Sequence, residues 1–339
     1  MAAPSRSLAA RAGLIAATAG GIALAVWLVR RVGWDDVLAA GTRMGAWGFA
    51  LFCLCSFGTF VLLGGAWQSA AHAPARRIPI FAGARVVREA VADFLPLSQL
   101  GGMAAGARIL RVRGVPAARV YASMIVDQAT EMASQLLITL FGVAAAASLL
   151  FGEGGAAIRS AVLLGTLALT VAVLAFILSQ RRFVRVAAAL ARRILPGAAA
   201  ALDEVDADLA RLYAHRGYVV GSFLWNVAAW LAAAASAWLV LHLIGHPLAF
   251  WKIVSIESLI AVVRSVAFAV PGAIGFQEAA YAALGPLFGL PTEAALALSL
   301  ARRARDVVVA MAAMVVWQWV EARAYWGRGA AAASHDTGA

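Results

Sequence analysis

Long apolar runs alternate with short polar loops along nearly the whole chain. A helix needs roughly 20 residues to cross about 30 Å of hydrocarbon. Six runs reach that length, at 12–29, 45–70, 118–150, 159–179, 217–244 and 292–320. Two further stretches, 80–112 and 251–288, are broken in the middle by Pro and Gly. In the first, the arms beside Leu95-Pro96-Leu97-Ser98 have about 15 residues each and reach roughly 23 Å, short of a crossing. The first arm of the second stretch is nearly long enough to span. The pattern predicts an all-α, polytopic integral membrane protein with about six full spans and two re-entrant hairpins. One transmembrane domain fills 1–328, and the small, polar residues 329–339 form an unstructured tail.

A shift of 175 residues superposes rare residue types. Pro96 falls on Pro271, Gly114 on Gly289, and Pro116 on Pro291. Asp127 falls on Arg302, Gln128 on Arg303, and Glu131 on Asp306. Arg88 meets Arg264 once one residue is gapped. Each copy, about 80–150 and 251–323, reads as an Arg-bearing arm, a Pro/Gly break, a short arm, a Gly-x-Pro turn and a full span. The topology runs span 118–150 outward and span 292–320 inward, so the copies are predicted to be inverted. Inverted repeats with broken helices are a transporter design, because exchanging the two conformations opens one site to either side.

Composition agrees with a lipid solvent: 63% of the residues are hydrophobic and 13% are charged. The net charge of +11 would suggest nucleic acid on a soluble chain. Here the bases lie between apolar runs, 17 in the loops placed inside and 5 in those placed outside. That bias argues against nucleic acid and for both termini in the cytoplasm. Leu14 to Val29 lacks a small-residue cleavage site and reads as a retained span. Residues 181–212 form a long cytoplasmic loop, basic at Arg181, Arg182, Arg185, Arg192 and Arg193 and acidic at Asp203, Glu204, Asp206 and Asp208. It fits an amphipathic helix on the anionic leaflet, and a solvated connector fits equally. Cys53 and Cys55 read as small apolar fillers, and no metal site or other cofactor is indicated.

Ionisable residues inside the spans and hairpins carry the candidate chemistry: Arg88, Glu89, Asp93, Asp127, Glu131, Glu257, Arg264, Glu278, Arg302, Arg303, Arg305 and Asp306. Each costs about 2.5–3.5 kcal/mol at the bilayer centre. Facing lipid they would together cost about 30 kcal/mol or more, so they must pair or line a wet cavity. Asp127 and Glu131 share a helical face, as do Arg302 and Asp306, and an acidic face is expected to meet a basic one across the repeat. Such a network either holds the copies together or forms a cavity for a lipid headgroup, and the two roles are compatible. The breaks at Pro96, Ser98, Gly101 and Gly102, and at Pro271, Gly272 and Gly275, restart helices inside the membrane. Restarts leave N–H groups and a positive helix end that can hold a headgroup, or they are kinks satisfied by neighbouring helices. Ser98 can cap the first restart, whereas Glu278 is placed to occupy the second. Arg88, Glu89, Asp93, Asp127, Glu131, Arg264, Glu278, Arg302, Arg303 and Asp306 are thus the candidate cavity or gate residues. No nucleophile–base pair or metal-ligand spacing marks a catalytic residue.

The segments 89–102, 127–131, 267–278 and 302–306 resemble the transmembrane domain of the lysylphosphatidylglycerol synthase/flippase-like family. The resemblance covers about residues 10–325. The stretch Ser255 to Leu290, with Gly285-Pro286-Leu287-Phe288-Gly289, points to its hopanoid-biosynthesis-associated branch. The resemblance implies lipid translocation, of aminoacylated phospholipid in the bifunctional relatives and of hopanoid or a related lipid in this branch. The aminoacyl-transferase domain of those relatives is not expected here, so synthase activity is not carried over.

These readings converge on a lipid transporter or flippase-like protein of a bacterial inner membrane, not an enzyme. Its expected partner is a hopanoid or phospholipid, with lipid-biosynthesis enzymes and a second copy of the chain as further candidates. No Gly-x-x-x-x-Gly-Lys motif is present, so movement is expected to be passive or coupled to an ion. The rivals are a scaffold for lipid-synthesis enzymes and a lipid-modifying enzyme.

Overall fold

The computed structural model describes residues 34–94, 99–150, 196–267 and 270–336, with scattered positions between 164 and 189. Every described element is a helix. They are α1 (Trp34–Ala70), α2 (Ile78–Phe94), α3 (Gln99–Val112), α4 (Ala117–Leu150), α5 (Pro196–Ala214), α6 (Arg216–Leu243), α7 (Phe250–Val266), α8 (Phe276–Leu287) and α9 (Thr292–Asp336). The expected spans at 12–29 and 159–179, most of the basic half of loop 181–212, and Pro96 and Ser98 lie outside the described residues.

Three helices are long and apolar enough to cross a membrane unaided: Thr42–Ala70 of α1, Ala117–Ala147 of α4, and α6. α1 bends at Gly45, so its crossing starts near the expected position. The fourth described stretch expected to span, 292–320, is one continuous helix within α9. It is not among the three, because Arg302, Arg303, Arg305 and Asp306 interrupt its apolar run. α9 also continues as helix to Asp336. That corrects the unstructured tail expected from 329, and alanine, the strongest helix former, fills 330–333.

The broken stretches are helical pairs. α2 packs against α3, and α7 against α8. At 17 and 14 residues, α2 and α3 reach about 25 and 21 Å, and α8, with 12 residues, reaches about 18 Å. Gly102 permits the α2–α3 contact, since a β-carbon there would collide with the Arg88 carbonyl. Each hairpin has its own apolar core. Trp67, Phe81, Val87, Ile109, Leu110 and Met124 surround the first. Phe52, Leu241, Ile256, Tyr281, Phe288 and Leu298 surround the second. Outside these cores Leu54, Leu137, Phe141, Leu224, Met311 and Met314 stay exposed, as side chains facing lipid should.

Both hairpins end in the same turn. Gly114 donates to the Arg111 carbonyl at 3.0 Å, Val115 to Leu110 at 3.1 Å, and Val120 to Pro116 at 3.0 Å. In the second copy Gly289 donates to Pro286 at 3.0 Å, Leu290 to Gly285 at 2.9 Å, and Ala295 to Pro291 at 2.9 Å. All six partners obey the 175-residue shift. Gly114 and Gly289 sit at φ +79° and +84°, left-handed values that glycine adopts without strain. The packing is reciprocal as well: α2 lies on α9, and α7 lies on α4. Each hairpin therefore touches the long helix that follows the other hairpin.

α5 carries the acidic end of loop 181–212. Val205, Leu209 and Leu212 are buried against Ala122, Val126 and Val184. This half of the loop is packed structure and not a solvated connector.

Candidate functional site

Two buried charge clusters lie where the hairpins meet the long helices. In the first, α2 supplies Arg85, Arg88 and Glu89, and α4 supplies Asp127, Gln128 and Glu131. Arg85 and Asp127 are fully buried. Arg85 Nη1 stands 3.4 Å from Asp127 Oδ2 and 3.4 Å from Glu89 Oε1, and its Nη2 stands 2.9 Å from Glu131 Oε1. Arg88 Nη1 is 3.4 Å from Asp127 Oδ2, while its Nη2 donates to Gln128 Oε1 at 2.5 Å and lies 3.5 Å from Glu131 Oε2. Helical spacing builds this arrangement. Residues 85, 88 and 89 fall on one face of α2, and 127, 128 and 131 on one face of α4. Beside it, Thr130 meets Ser222 at 2.8 Å and accepts from Asn226 at 3.1 Å.

In the second cluster the long helix is basic and the hairpin acidic. Arg302 donates to Glu257, which also accepts from the Tyr281 hydroxyl at 2.7 Å. Arg303 Nε donates to Glu278 Oε1 at 3.1 Å, and Ser299 donates to the same oxygen at 3.1 Å. Glu278 Oε2 accepts the Gly275 N–H at 2.6 Å. Glu278 thus occupies the positive end of α8, as its position after the break predicts. Arg305 donates to its neighbour Asp306 at 2.5 Å.

An ion pair joins the two hairpins: Arg264 Nη2 lies 2.9 Å from Asp93 Oδ1, at side chains 27% and 29% exposed. Gly272 sits beside it, and a β-carbon there would lie 2.7 Å from Arg303 Nη1 and 3.4 Å from the Asp93 carbonyl.

The expectation that the acidic face of α4 meets the basic face of α9 is therefore corrected. Asp127 and Glu131 are neutralised by α2, and Arg302 and Arg303 by α7 and α8. Arg85 went unnoticed in the sequence, although it stands three residues before Arg88 and four before Glu89 on the same face. Tyr281 and Ser299 were also missed, since nothing in their spacing sets them apart from other helical residues. Gly102 serves close packing, Gly101 is exposed, and Pro271 lies in a one-turn helix, Pro271–Ala273. Several buried polar atoms of the clusters have no protein partner, among them Arg85 Nε, Asp127 Oδ1, Arg302 Nε and Arg303 Nη2. Such atoms take up water or the polar atoms of a ligand.

A family model described as the lysylphosphatidylglycerol synthase TM region matches residues 12–313. The chain belongs to that family. The match runs through both hairpins and both charge clusters, and it makes the chain a multi-pass membrane protein of a family tied to lipid handling. Comparison with curated proteins and with solved structures found no match.

Proposed function

We propose that this chain is a lipid transporter or flippase-like protein of a bacterial inner membrane, for hopanoid or a related amphipathic lipid. The observation that carries the reading is the pairing of charges within each hairpin-bearing unit. Burying an ion pair is tolerable when its hydrogen bonds are satisfied, and removing one partner is expensive. Units that neutralise themselves can shift against each other without exposing a lone charge to hydrocarbon. The crossing ion pair, Asp93–Arg264, is partly exposed, and such a shift would open and close it. In this reading the units are inverted copies, supported by the shared turn and the reciprocal packing, and both termini are cytoplasmic. A headgroup would pass between the hairpins while the apolar body stays in lipid. We assign no covalent step: Glu257 and Glu278, the carboxylates that the Tyr281 and Ser299 hydroxyls reach, are each held by a guanidinium as well, of Arg302 and Arg303.

The test is transfer of fluorescent phospholipid and of labelled hopanoid between leaflets of proteoliposomes. Wild type should accelerate transfer of at least one of them, and Arg302→Ala combined with Glu131→Ala should lower it tenfold or more. Equal rates in the two proteins would remove the charge clusters from the mechanism. A scaffold for lipid-synthesis enzymes is the second reading. It draws on α9, whose 45 residues reach about 68 Å, more than twice the hydrocarbon thickness. Co-purification of such enzymes with no transfer activity would favour it.

A further inference from the structure

A pocket of about 760 Å³ opens away from both charge clusters, at the end of the bundle where α1 gives way to α2 and α4 begins. None of the candidate cavity residues lines it. Its size falls in the range of small-molecule sites. Four guanidiniums, of Arg76, Arg77, Arg119 and Arg211, face two carboxylates, Glu204 and Asp208.

The carboxylates do not neutralise the pocket evenly. Asp208 takes Arg119 through two contacts of 3.3 Å and Arg211 through one of 3.1 Å. Arg119 also donates to the Ala71 carbonyl at 3.4 Å, so its guanidinium is held in place in the wall. Arg76 and Arg77 have no ion-pair partner among the described residues, and Glu204 is exposed. The first turn of α4 adds to the positive side. Val120 is the first residue there to donate to a backbone carbonyl, that of Pro116. The N–H groups of Ala117, Ala118 and Arg119 have no backbone acceptor among the described residues, and they carry the positive end of a 34-residue helix. The matching turn of the other unit carries a different cation. There Leu290 is buried, and Lys252 Nζ donates to the Phe288 carbonyl at 3.0 Å.

We propose that this pocket is a binding site for a phosphate-type anion, delivered by a lipid headgroup or as free phosphate, with Arg76 and Arg77 as its mobile ligands and Arg119 fixed by Asp208 as its anchor. Two guanidiniums with no ion-pair partner among the described residues, beside an anchored third, offer more donors than the two oxygens of a carboxylate take up and suit a tetrahedral oxyanion. The site needs no translocation to operate.

The test uses the full chain in detergent micelles, with binding measured by thermophoresis. The probes are dioctanoyl phosphatidylglycerol, dioctanoyl phosphatidylcholine and inorganic phosphate. Phosphatidylglycerol is expected to bind saturably and more tightly than phosphatidylcholine. Arg76→Gln combined with Arg77→Gln should weaken it tenfold or more. Glu204→Gln, which removes a repelling charge, should tighten it about threefold. Arg43→Gln, an exposed base far along α1, should leave it unchanged. If inorganic phosphate binds as tightly as phosphatidylglycerol, the source is the free anion and the site stands. Wild-type affinity in the Arg76/Arg77 double variant, or no saturable binding of either anionic probe, overturns the proposal. Neither arginine has an ion-pair partner among the described residues, so the double variant should keep the wild-type elution profile and melting temperature. Because no bilayer is crossed in this assay, its outcome is separate from that of the transfer experiment.

Discussion

The two hairpin-bearing units share a backbone design and differ in the placement of charge. In the first, arginines on hairpin helix α2 face carboxylates on the long helix α4. In the second, carboxylates on α7 and α8 face arginines on the long helix α9. The turns that join hairpin to long helix share three backbone hydrogen bonds at the 175-residue shift. The two units thus have turn geometry and near-neutrality in common and differ in polarity. Either element can carry either sign, provided the sum inside the unit stays close to zero at membrane depth.

The largest effects should come from breaking neutrality in one unit. Arg85→Met leaves Glu89, Asp127 and Glu131 around Arg88 alone and should cost about 3–5 kcal/mol. Most of the protein should then be lost as aggregate on size exclusion. Asp127→Asn in the same unit should recover part of it, whereas Glu257→Gln in the other unit should recover none. Equal rescue by both would show that the clusters share one charge balance. Arg302→Met should do less harm than Arg85→Met, since Glu257 keeps the Tyr281 hydroxyl as a donor. Next in size is Gly102→Leu, which forces α3 away from the Arg88 carbonyl and should cost about 1–3 kcal/mol. Gly101→Ala, at an exposed position, serves as its neutral control in thermal melts.

Asp93→Asn and Arg264→Gln should each change stability by about 1 kcal/mol or less, since the pair is partly exposed, while altering the transfer rate severalfold. A change in melting without a change in transfer would make the contact a structural clamp. The smallest effect concerns the loop end, where His72 stacks on Tyr218 at 4.2 Å and meets His215 edge-on at 5.2 Å. Burial, then the neighbouring His215 and Arg119, pushes the His72 imidazole below its ordinary range. The unfolded chain therefore binds this proton more readily. The stability it contributes is full above about pH 6.5 and declines as pH falls below that value. His72→Gln should flatten the acid side of a melting-temperature profile by a small amount.

The helical membrane class, the breaks, the Gly-x-Pro turns and the 175-residue register were legible in the sequence. They rest on run length and on rare residue types, both of which are local signals. The charge partners were not. Asp127 and Arg302 occupy matching positions with opposite signs, which suggested that they meet. Their actual partners, Arg85 and Glu257, are set by how each hairpin folds back on its own long helix, and that depends on tertiary packing. Glu278 was read correctly because its bond to Gly275 is confined to one helical turn. Arg85 was missed inside an arm already credited with Arg88 and Glu89, although the same-face spacing was there to use.

The central claim is that two self-neutralised units move against each other through the Asp93–Arg264 contact. The direct measurement joins those positions covalently. Asp93→Cys and Arg264→Cys, made together in a chain that also carries Cys53→Ser and Cys55→Ser, would be bridged by a short bifunctional thiol reagent containing a reducible disulfide. Leaflet transfer of a fluorescent lipid would then be followed before and after reduction. The predicted result is transfer arrested in the bridged protein and restored by the reductant. Transfer by the bridged protein at the unbridged rate would contradict the account.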